Sequence, residues 1–397
     1  MPQEPSVTRR DFLKLTGAAA VGSIISSMGP AGVAAEPTPV PTRPFGNTGI
    51  EVPILSFGGS LHLPQLMLRQ AFLWGVTYWD TASSYMGGNS ETRIGKYFSA
   101  FPQDRPKIFL VTKSHAWTIA GMSADLDESL RRMNTEYVDL FFVHSVGRIE
   151  EMDNAKRRWG EKKKSEGKIR LFGFSTHSNM EQCLLDASRL GWIDAIMMSY
   201  NYRLMHTDAM RRAVDACAEA GVGLTAMKTQ GGGSFPSAGE AEREMADRFL
   251  AKGFTVGQAK LKAVWENRRI ASICSEMPNM KLLMENVSAA LNRTRLSDGD
   301  RQSLQQHARL TRANYCTGCT RICESVLDAP VPIGDAMRFL MYGRTYGDRL
   351  RAAHHFQRIP EKTRRIMAKL DFSLAEQACP QQMTIGRLIR EGLVEFT

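Results

Sequence analysis

The chain has 397 residues and a formal net charge of +10, with 43% hydrophobic and 23% charged residues. These proportions are ordinary for a folded globular protein, and the length allows a large core with a smaller second domain. The positive charge would permit a nucleic-acid partner, but the basic residues are scattered, and the densest run, 162–164, lies between Glu161 and Glu166. Mixed charges of this kind are typical of a solvated helix face, so we expect no nucleic-acid partner.

Residues 1–35 have the pattern of an export signal. Arg9 and Arg10 precede an apolar, small-residue run at 15–28, and Ala35 stands at a position suited to cleavage. The run is shorter than the roughly 20 residues that a membrane-spanning helix needs. The segment resembles a Tat signal peptide, which implies the Tat translocase as a partner during export and a periplasmic or other extracytoplasmic location. An uncleaved signal that anchors the protein is the alternative.

Between residues 45 and about 295, short apolar runs alternate with segments of helical spacing. The predicted strands are Ile54–Phe57, Val76–Trp79, Lys107–Thr112, Val138–Val143, Arg170–Phe174, Ala195–Met198, Gly223–Met227 and Ile270–Cys274. The clearest predicted helices are Ala124–Met133, Met180–Leu190 and Asp208–Ala220. Eight strands that alternate with helices predict an α/β fold of the (β/α)₈ TIM-barrel type. A doubly wound sheet is the competitor, but no G-x-G-x-x-G sequence follows the first strand.

Polar residues follow several of these strands, at the end of the barrel where active sites lie. Asp80, Lys113 and His144 come at the ends of the second, third and fourth strands, and Tyr85 follows Asp80 in a small-residue loop. A phenol has an ordinary pKa near 10 and is a poor proton donor at neutral pH. A neighbouring ammonium lowers that pKa and a carboxylate holds the ammonium in place. We therefore predict a proton-transfer set in which Tyr85 is the general acid or base.

These residues stand in segments that resemble the aldo/keto reductase family. The matching segments are 45–49, 57–59, 75–76, 79–82, Tyr85, 112–113, 137–140, 143–144, 167–170, 173–175, 200–201, 226–228 and 285–286. The resemblance implies a barrel over residues 43–295 that uses NAD(P)H on a small-molecule carbonyl or alcohol substrate. It also implies that Tyr85 is the acid, that Lys113 and Asp80 activate it, and that His144 orients the substrate. A non-catalytic or partner-binding barrel that has lost ordinary NADPH binding is the alternative.

The nucleotide site departs from the family pattern. The expected contacts with the nucleotide are Ser175, Tyr200, Lys228, Gly231, Gly232 and Asn286. The family usually has a Gln three residues before Tyr200, where this chain has Met197. Near the eighth strand the family commonly has an Arg that meets the adenosine 2′-phosphate, where this chain has Glu276 and no Arg. Because a carboxylate there disfavours a phosphate, NADH, or a different donor, stays open beside NADPH.

Residues 296–397 carry no strand pattern and predict a small helical module. The segment 297–300 is expected to cap a helix that runs to Asn314, and two further amphipathic helices are expected at Met337–Arg351 and Glu361–Lys369. We expect the last two helices to pack the module onto the barrel.

Four cysteines of the module have the spacing of a metal site. Cys316, Cys319 and Cys323 form a C-x₂-C-x₃-C run, and Cys379 precedes a proline. The arrangement resembles the ferredoxin-like extension of some aldo/keto reductases and implies a [4Fe–4S] cluster with these four ligands. Ile322 stands where the usual run has its third Cys, so zinc or no metal stays open. Such a cluster would exchange electrons with the barrel or with an electron-transfer partner, or would only hold the tail together.

Overall fold

The structure, a computed structural model, describes residues 38–232 and 239–397. The expected Tat signal at 1–35 lies outside these residues. Within the described ranges, every helix is too short or too polar to cross a bilayer.

The centre of the fold is a closed barrel of eight parallel strands. A hairpin of β1 (Thr42–Pro44) and β2 (Glu51–Pro53) precedes it. The barrel strands are β3 (Leu55–Gly58), β4 (Tyr78–Asp80), β5 (Phe109–Ser114), β6 (Val138–Val143), β7 (Ile169–Thr176), β8 (Ala195–Ser199), β9 (Gly223–Met227) and β10 (Ser272–Glu276). They pair in chain order, and β10 closes the barrel against β3. The predicted TIM barrel is confirmed, with every strand within two residues of its expected bounds.

Helices surround the barrel. They are α1 (Gln65–Leu73), α2 (Asn89–Ala100), α3 (Ile119–Met133), α4 (Asn154–Ser165), α5 (Met180–Ala187), α6 (Asp208–Glu219), α7 (Gly239–Leu250), α8 (Val256–Glu266) and α9 (Met280–Leu291). The three predicted barrel helices coincide with α3, α5 and α6, although α3 begins five residues before its predicted start. Thr118 explains that earlier start, because its side chain accepts a hydrogen bond from the Gly121 amide and caps the helix.

Side chains alternate along the barrel strands between a core inside the barrel and a core between the barrel and its helices. In β6, Leu140 and Phe142 belong to the cluster inside the barrel, whereas Phe141 and Val143 belong to the cluster between the barrel and its helices. All six residues of this strand are buried, because a parallel barrel strand is covered on both faces. Phe45, from the hairpin turn, joins the inner cluster and closes the amino-terminal end of the barrel.

The tail forms a helical module with a hydrophobic core of its own. Its helices are α10 (Asp298–Leu310), α11 (Thr320–Cys323), α12 (Ile333–Arg344), α13 (Arg349–Arg358), α14 (Glu361–Lys369), α15 (Ser373–Ala378) and α16 (Ile385–Phe396). Ser297 and Asp300 form the expected cap of α10, which ends at Leu310 rather than Asn314. The described part of the tail contains no strand, as predicted.

The single helix expected over Met337–Arg351 is wrong. The chain leaves the helical path after Arg344 and turns at Gly347, whose φ of +74° suits glycine. Asp348 then caps α13, because its carboxylate accepts a hydrogen bond from the Arg351 amide. The break turns α13 back against α12 and carries Arg351 toward the barrel.

The module lies across the carboxyl end of the barrel. Gly318 accepts a hydrogen bond from the Asn179 amide at 2.8 Å, and the Arg321 amide donates to the Asn179 side chain at 2.9 Å. Asn201 donates to the Tyr315 hydroxyl at 3.0 Å. Asn179 and Asn201 follow β7 and β8, so the module covers the end of the barrel at which the predicted site residues lie.

Candidate active site

A buried ion pair lies at the ends of β4 and β5. The Lys113 Nζ donates to both carboxylate oxygens of Asp80, at 2.6 and 2.7 Å, and to the Thr81 carbonyl at 2.8 Å. Lys113 is only 1% exposed. Because all three donors of the ammonium are satisfied within the barrel, the lysine is held in a single position below the barrel mouth.

The phenol of Tyr85 lies over this pair. A short 3₁₀ turn, Tyr85–Gly88, follows β4 and places the Lys113 Nζ 5.0 Å from the centre of the Tyr85 ring. The His144 ring lies edge-on to the phenol at 5.7 Å between centres. The structure therefore brings together all four residues of the predicted proton-transfer set.

The protonation of Tyr85 differs from the expectation. Burial raises the pKa of the phenol well above 10, and the Asp80 carboxylate raises it further. The sequence predicted a lowered pKa from the neighbouring ammonium, but the Lys113 ammonium donates its hydrogen bonds to Asp80 and Thr81 and none to Tyr85. Tyr85 is consequently a protonated phenol at neutral pH.

Two stacked imidazoles stand beside the phenol. The His115 and His144 rings stack at 3.8 Å, and the buried Nδ1 of His144 has no hydrogen-bond partner among the described residues. Burial, together with the charges of His115 and Lys113, lowers the pKa of His144 well below 6.5. The His144 imidazole is therefore neutral at physiological pH and carries one N–H.

A chamber of about 440 Å³ separates the barrel mouth from the module. His177, Ser199 and Lys228 line it from the barrel, and Arg338 and Arg344 line it from α12. Volumes of this size are typical of sites that take small organic ligands. Lys228, at the end of β9, is the expected nucleotide contact that borders this chamber.

The other expected nucleotide contacts are distributed around the barrel end. Ser175 accepts a hydrogen bond from the Ser145 amide at 3.1 Å. Gly231 accepts one from the Arg203 side chain, and Gly232 follows it with a φ of +93°. Asn286 donates from α9 to the Ser275 hydroxyl at 3.0 Å.

Tyr200 does not occupy the position that the sequence suggested. Its ring belongs to the core between the barrel and the helices, and its hydroxyl accepts a hydrogen bond from Asn267 at 2.8 Å. Side chains alternate along β8, so Met197 and Ser199 face the barrel axis while Met198 and Tyr200 face outward. A direct nucleotide contact by the Tyr200 ring at the mouth is therefore wrong.

The four cysteines of the predicted metal site line one small cavity of about 10 Å³. Cys316, Cys319 and Cys323 come from the loop around α11, and Cys379 comes from the end of α15. Burial raises the pKa of the Cys316 thiol to about 12. In the described ranges, no three Cys, His, Asp or Glu side chains are positioned closely enough to hold a metal ion. The thiols converge without forming a closed ligand set.

Three residues near the mouth come from the module and were not predicted as site residues from the sequence. Arg351 lies 3.5 Å from Glu276 and stacks over Tyr342, whose ring also contacts the Lys228 ammonium at 4.7 Å. Arg338 reaches the chamber from α12. No local sequence signal marks these residues, because their position depends on how the module docks onto the barrel.

Known proteins resemble the barrel part of the chain. A profile of the aldo/keto reductase family matches residues 64–283. The L-galactose dehydrogenase of Arabidopsis thaliana is 25% identical over 283 residues, which cover 64% of this chain and 88% of that protein. An L-glyceraldehyde 3-phosphate reductase of Escherichia coli K12 is 27% identical over 186 residues, which cover 41% of this chain and 54% of that protein.

Solved structures have the same fold. An aldo-keto reductase from Klebsiella pneumoniae, crystallised in complex with NADPH, aligns with a TM-score of 0.56 at 23% identity, over 67% of this chain and 94% of that chain. The family profile covers more than half of the present sequence. The chain therefore belongs to the aldo/keto reductase family and is an oxidoreductase of that family.

Proposed function

We propose that the protein reduces the carbonyl group of a small molecule, or oxidises the corresponding alcohol, with Tyr85 as the general acid or base. The observation that carries the proposal is the Lys113 ammonium, fixed by Asp80 and lying 5.0 Å from the Tyr85 ring. A phenol with a fixed ammonium beside it can give its proton to a carbonyl oxygen as negative charge develops there.

The raised pKa of Tyr85 favours the direction of carbonyl reduction. Tyr85 carries its proton at neutral pH, so the acid is ready before the substrate binds. In the reverse direction the phenol must first lose that proton, which requires a higher pH. The neutral His144 imidazole donates a hydrogen bond to the substrate oxygen and orients it toward Tyr85.

A nicotinamide nucleotide is proposed as the hydride donor. The chamber lined by Ser199 and Lys228 and the polar groups of Ser175 and Asn286 suit part of such a molecule. When bound there, the reduced nucleotide would supply the hydride for the carbonyl carbon. Glu276 should repel the 2′-phosphate of NADPH less than the sequence implied, because the positive charge of Arg351 lies 3.5 Å from that carboxylate.

The activity is tested with purified protein, reduced nucleotide and a panel of aldehydes and ketones. We expect oxidation of NADPH or NADH that depends on the carbonyl compound, followed as loss of nicotinamide absorbance. Binding of neither nucleotide, measured by intrinsic fluorescence, would contradict the proposal and favour a barrel that only binds a partner.

We also propose a [4Fe–4S] cluster at Cys316, Cys319, Cys323 and Cys379. Thiolates are the ligands that such clusters use, and the four side chains line one cavity. A cluster held by all four thiolates would join α11 to the end of α15, which would couple metal binding to folding of the module. The cavity shares Cys316 and Met337 with the larger chamber, so electrons from a partner would pass from the cluster to the barrel mouth across this wall.

The metal proposal is tested by measuring iron, sulfide and zinc in anaerobically purified protein. We expect about four iron atoms per chain, lost in Cys319→Ser but retained in Cys217→Ser, whose thiol is buried beside Leu184 in the barrel layer. Zinc in place of iron would change the assignment to a zinc site, and absence of both metals would contradict it.

Export by the Tat pathway, with a periplasmic or other extracytoplasmic location, is the third part of the proposal. Arg9 and Arg10 and the apolar run after them support it. Replacing both arginines with lysine should retain the protein in the cytoplasm, which fractionation measures. Unchanged export of the double variant would rule out this route.

A further inference from the structure

The module brings a guanidinium to the rim of the barrel next to the candidate acid. Arg351 extends from α13 toward Glu276, the last residue of β10, at 3.5 Å. Its guanidinium lies over the Tyr342 ring, with the guanidinium carbon 4.2 Å from the ring centre. The Arg351 side chain is 22% exposed, so it is held by the module and still reachable from solvent.

Strand register shows where this guanidinium lies. Glu276 pairs with Gly58, and Gly58 pairs with Asp80 on the next strand. The ends of β10, β3 and β4 therefore lie side by side. Arg351, which contacts the end of β10, lies on the same side of the barrel mouth as Tyr85, which follows the end of β4. Consistent with this closeness, the positive charge of Arg351 opposes the rise in the pKa of Tyr85.

The positively charged groups around the mouth are not fully paired with carboxylates of the described residues. The Asp80 carboxylate is fully engaged by Lys113. Glu276 receives a hydrogen bond from Ser60 as well as its long contact with Arg351. Lys228 faces aromatic rings and forms no ion pair with a carboxylate of the described residues. The chamber that Lys228 borders has no Asp or Glu among the described residues that line it.

We propose that Arg351 binds a carboxylate carried by the substrate beside its reacting carbonyl, so that the preferred substrates are 2-oxo acids. A guanidinium presents parallel N–H groups that match a carboxylate, and its 3.5 Å contact with Glu276 is loose enough to be exchanged. The inference rests on the proposed carbonyl reduction at Tyr85. The carbonyl carbon gains a hydride from the reduced nicotinamide, its oxygen gains the Tyr85 proton, and the carboxylate is unchanged.

The test compares pyruvate with methyl pyruvate, which differ in the negative charge and share the keto group. Wild-type protein is compared with Arg351→Ala and Arg351→Gln. We expect kcat/KM for pyruvate to fall about 10- to 100-fold in both variants, the loss typical of a charge-assisted hydrogen bond. For methyl pyruvate we expect a change of less than about threefold. Equal losses with the two substrates, or no loss with either, would overturn the proposal.

The matched control is Arg349→Ala on the same helix. Arg349 is 62% exposed and forms its ion pair with Glu395 within the module. We expect this variant to keep the wild-type preference for pyruvate. A loss of preference in Arg349→Ala as large as in Arg351→Ala would show that any disturbance of α13 has the same effect, which would contradict a specific role for Arg351.

A binding measurement separates this inference from the proposed function. Oxamate has the shape and charge of pyruvate and is not reduced, so its affinity is measured by fluorescence without turnover. Oxamate binding that weakens at least tenfold in Arg351→Ala supports the anion site even if neither substrate is reduced. Turnover of methyl pyruvate without oxamate binding overturns the inference alone. If the variant instead lowers the affinity for NADPH relative to NADH, Arg351 serves the nucleotide phosphate and the inference is wrong.

Discussion

At the scale of single residues, environment decides the chemistry of Tyr85. The four polar residues that the sequence singled out lie together in the structure, because each stands at a position that the barrel directs toward its mouth. The lowered pKa that the sequence predicted for Tyr85 is wrong. The direction of the shift depends on how deeply the phenol is buried and on Lys113 donating to Asp80 and Thr81.

Removing the ammonium of the buried pair should destabilise the protein strongly. In Lys113→Met the Asp80 carboxylate loses its partner while it remains buried, which typically costs about 3–5 kcal/mol of unfolding free energy. Lys168→Met is the control, since the ion pair of Lys168 with Asp127 is half-exposed and such pairs contribute about 0–1 kcal/mol. Urea unfolding measures both variants, and similar losses would mean that Asp80 is not held by Lys113.

A buried histidine predicts loss of stability in acid. The His307 ring is 2% exposed, its Nδ1 bonds the Tyr202 hydroxyl, and burial lowers its pKa to about 4. An unfolded histidine binds a proton near pH 6.5, so the contribution of His307 is present above pH 6.5 and is lost as the pH falls toward 4.

The size of this effect is measured with a variant. Between pH 7 and pH 5, wild type should lose about 1–2 kcal/mol more unfolding free energy than His307→Gln. His62→Gln, at an exposed position, serves as the control and should follow wild type. Identical pH profiles of wild type and His307→Gln would show that folding does not lower the pKa of His307.

At the scale of elements, the sequence pattern predicted the strands and helices whose bounds depend on neighbouring residues in the chain. The eight barrel strands were predicted correctly, because buried parallel strands are short apolar runs that glycine and polar loops interrupt. The prediction of one helix over Met337–Arg351 was wrong, because the amphipathic spacing continues through the turn at Gly347. The outward orientation of Tyr200 follows from strand alternation, which could have been read once the position of Met197 inside the barrel was known.

One glycine sets how closely the cysteine loop approaches the barrel. Gly318 has a φ of +79°, and a Cβ at this position would lie 2.1 Å from the His177 carbonyl oxygen. We expect Gly318→Ala to push the loop off the barrel and to increase hydrogen exchange over residues 316–323. Gly347→Ala is the matched control, since Gly347 has a φ of +74° and open space around its missing Cβ.

The two substitutions separate steric conflict from backbone strain. A left-handed alanine costs on the order of 1 kcal/mol in either place. Gly318→Ala should cost more, because the added methyl also meets the backbone of the barrel. Equal effects of the two variants on thermal stability would show that contact with His177 does not hold the loop.

At the scale of the whole molecule, the tail completes the mouth of a family barrel. The family profile ends at residue 283, whereas Arg338, Tyr342 and Arg351 come from beyond it. Composition and periodicity predicted a helical module but not its position, because docking depends on contacts between residues distant in sequence, such as Asn179 with Thr320. The barrel supplies the proposed proton-transfer set, and the module covers that set and adds positive charge.

The most direct measurement of the central claim is single-turnover carbonyl reduction by Tyr85→Phe. Loss of the hydroxyl should slow reduction by about 10²- to 10⁴-fold, the usual contribution of a general acid, while nucleotide affinity stays within about twofold of wild type. Tyr137→Phe, at the amino-terminal end of β6, is the control and should turn over normally. An unchanged rate in Tyr85→Phe would contradict the assignment and place the acid elsewhere in the mouth.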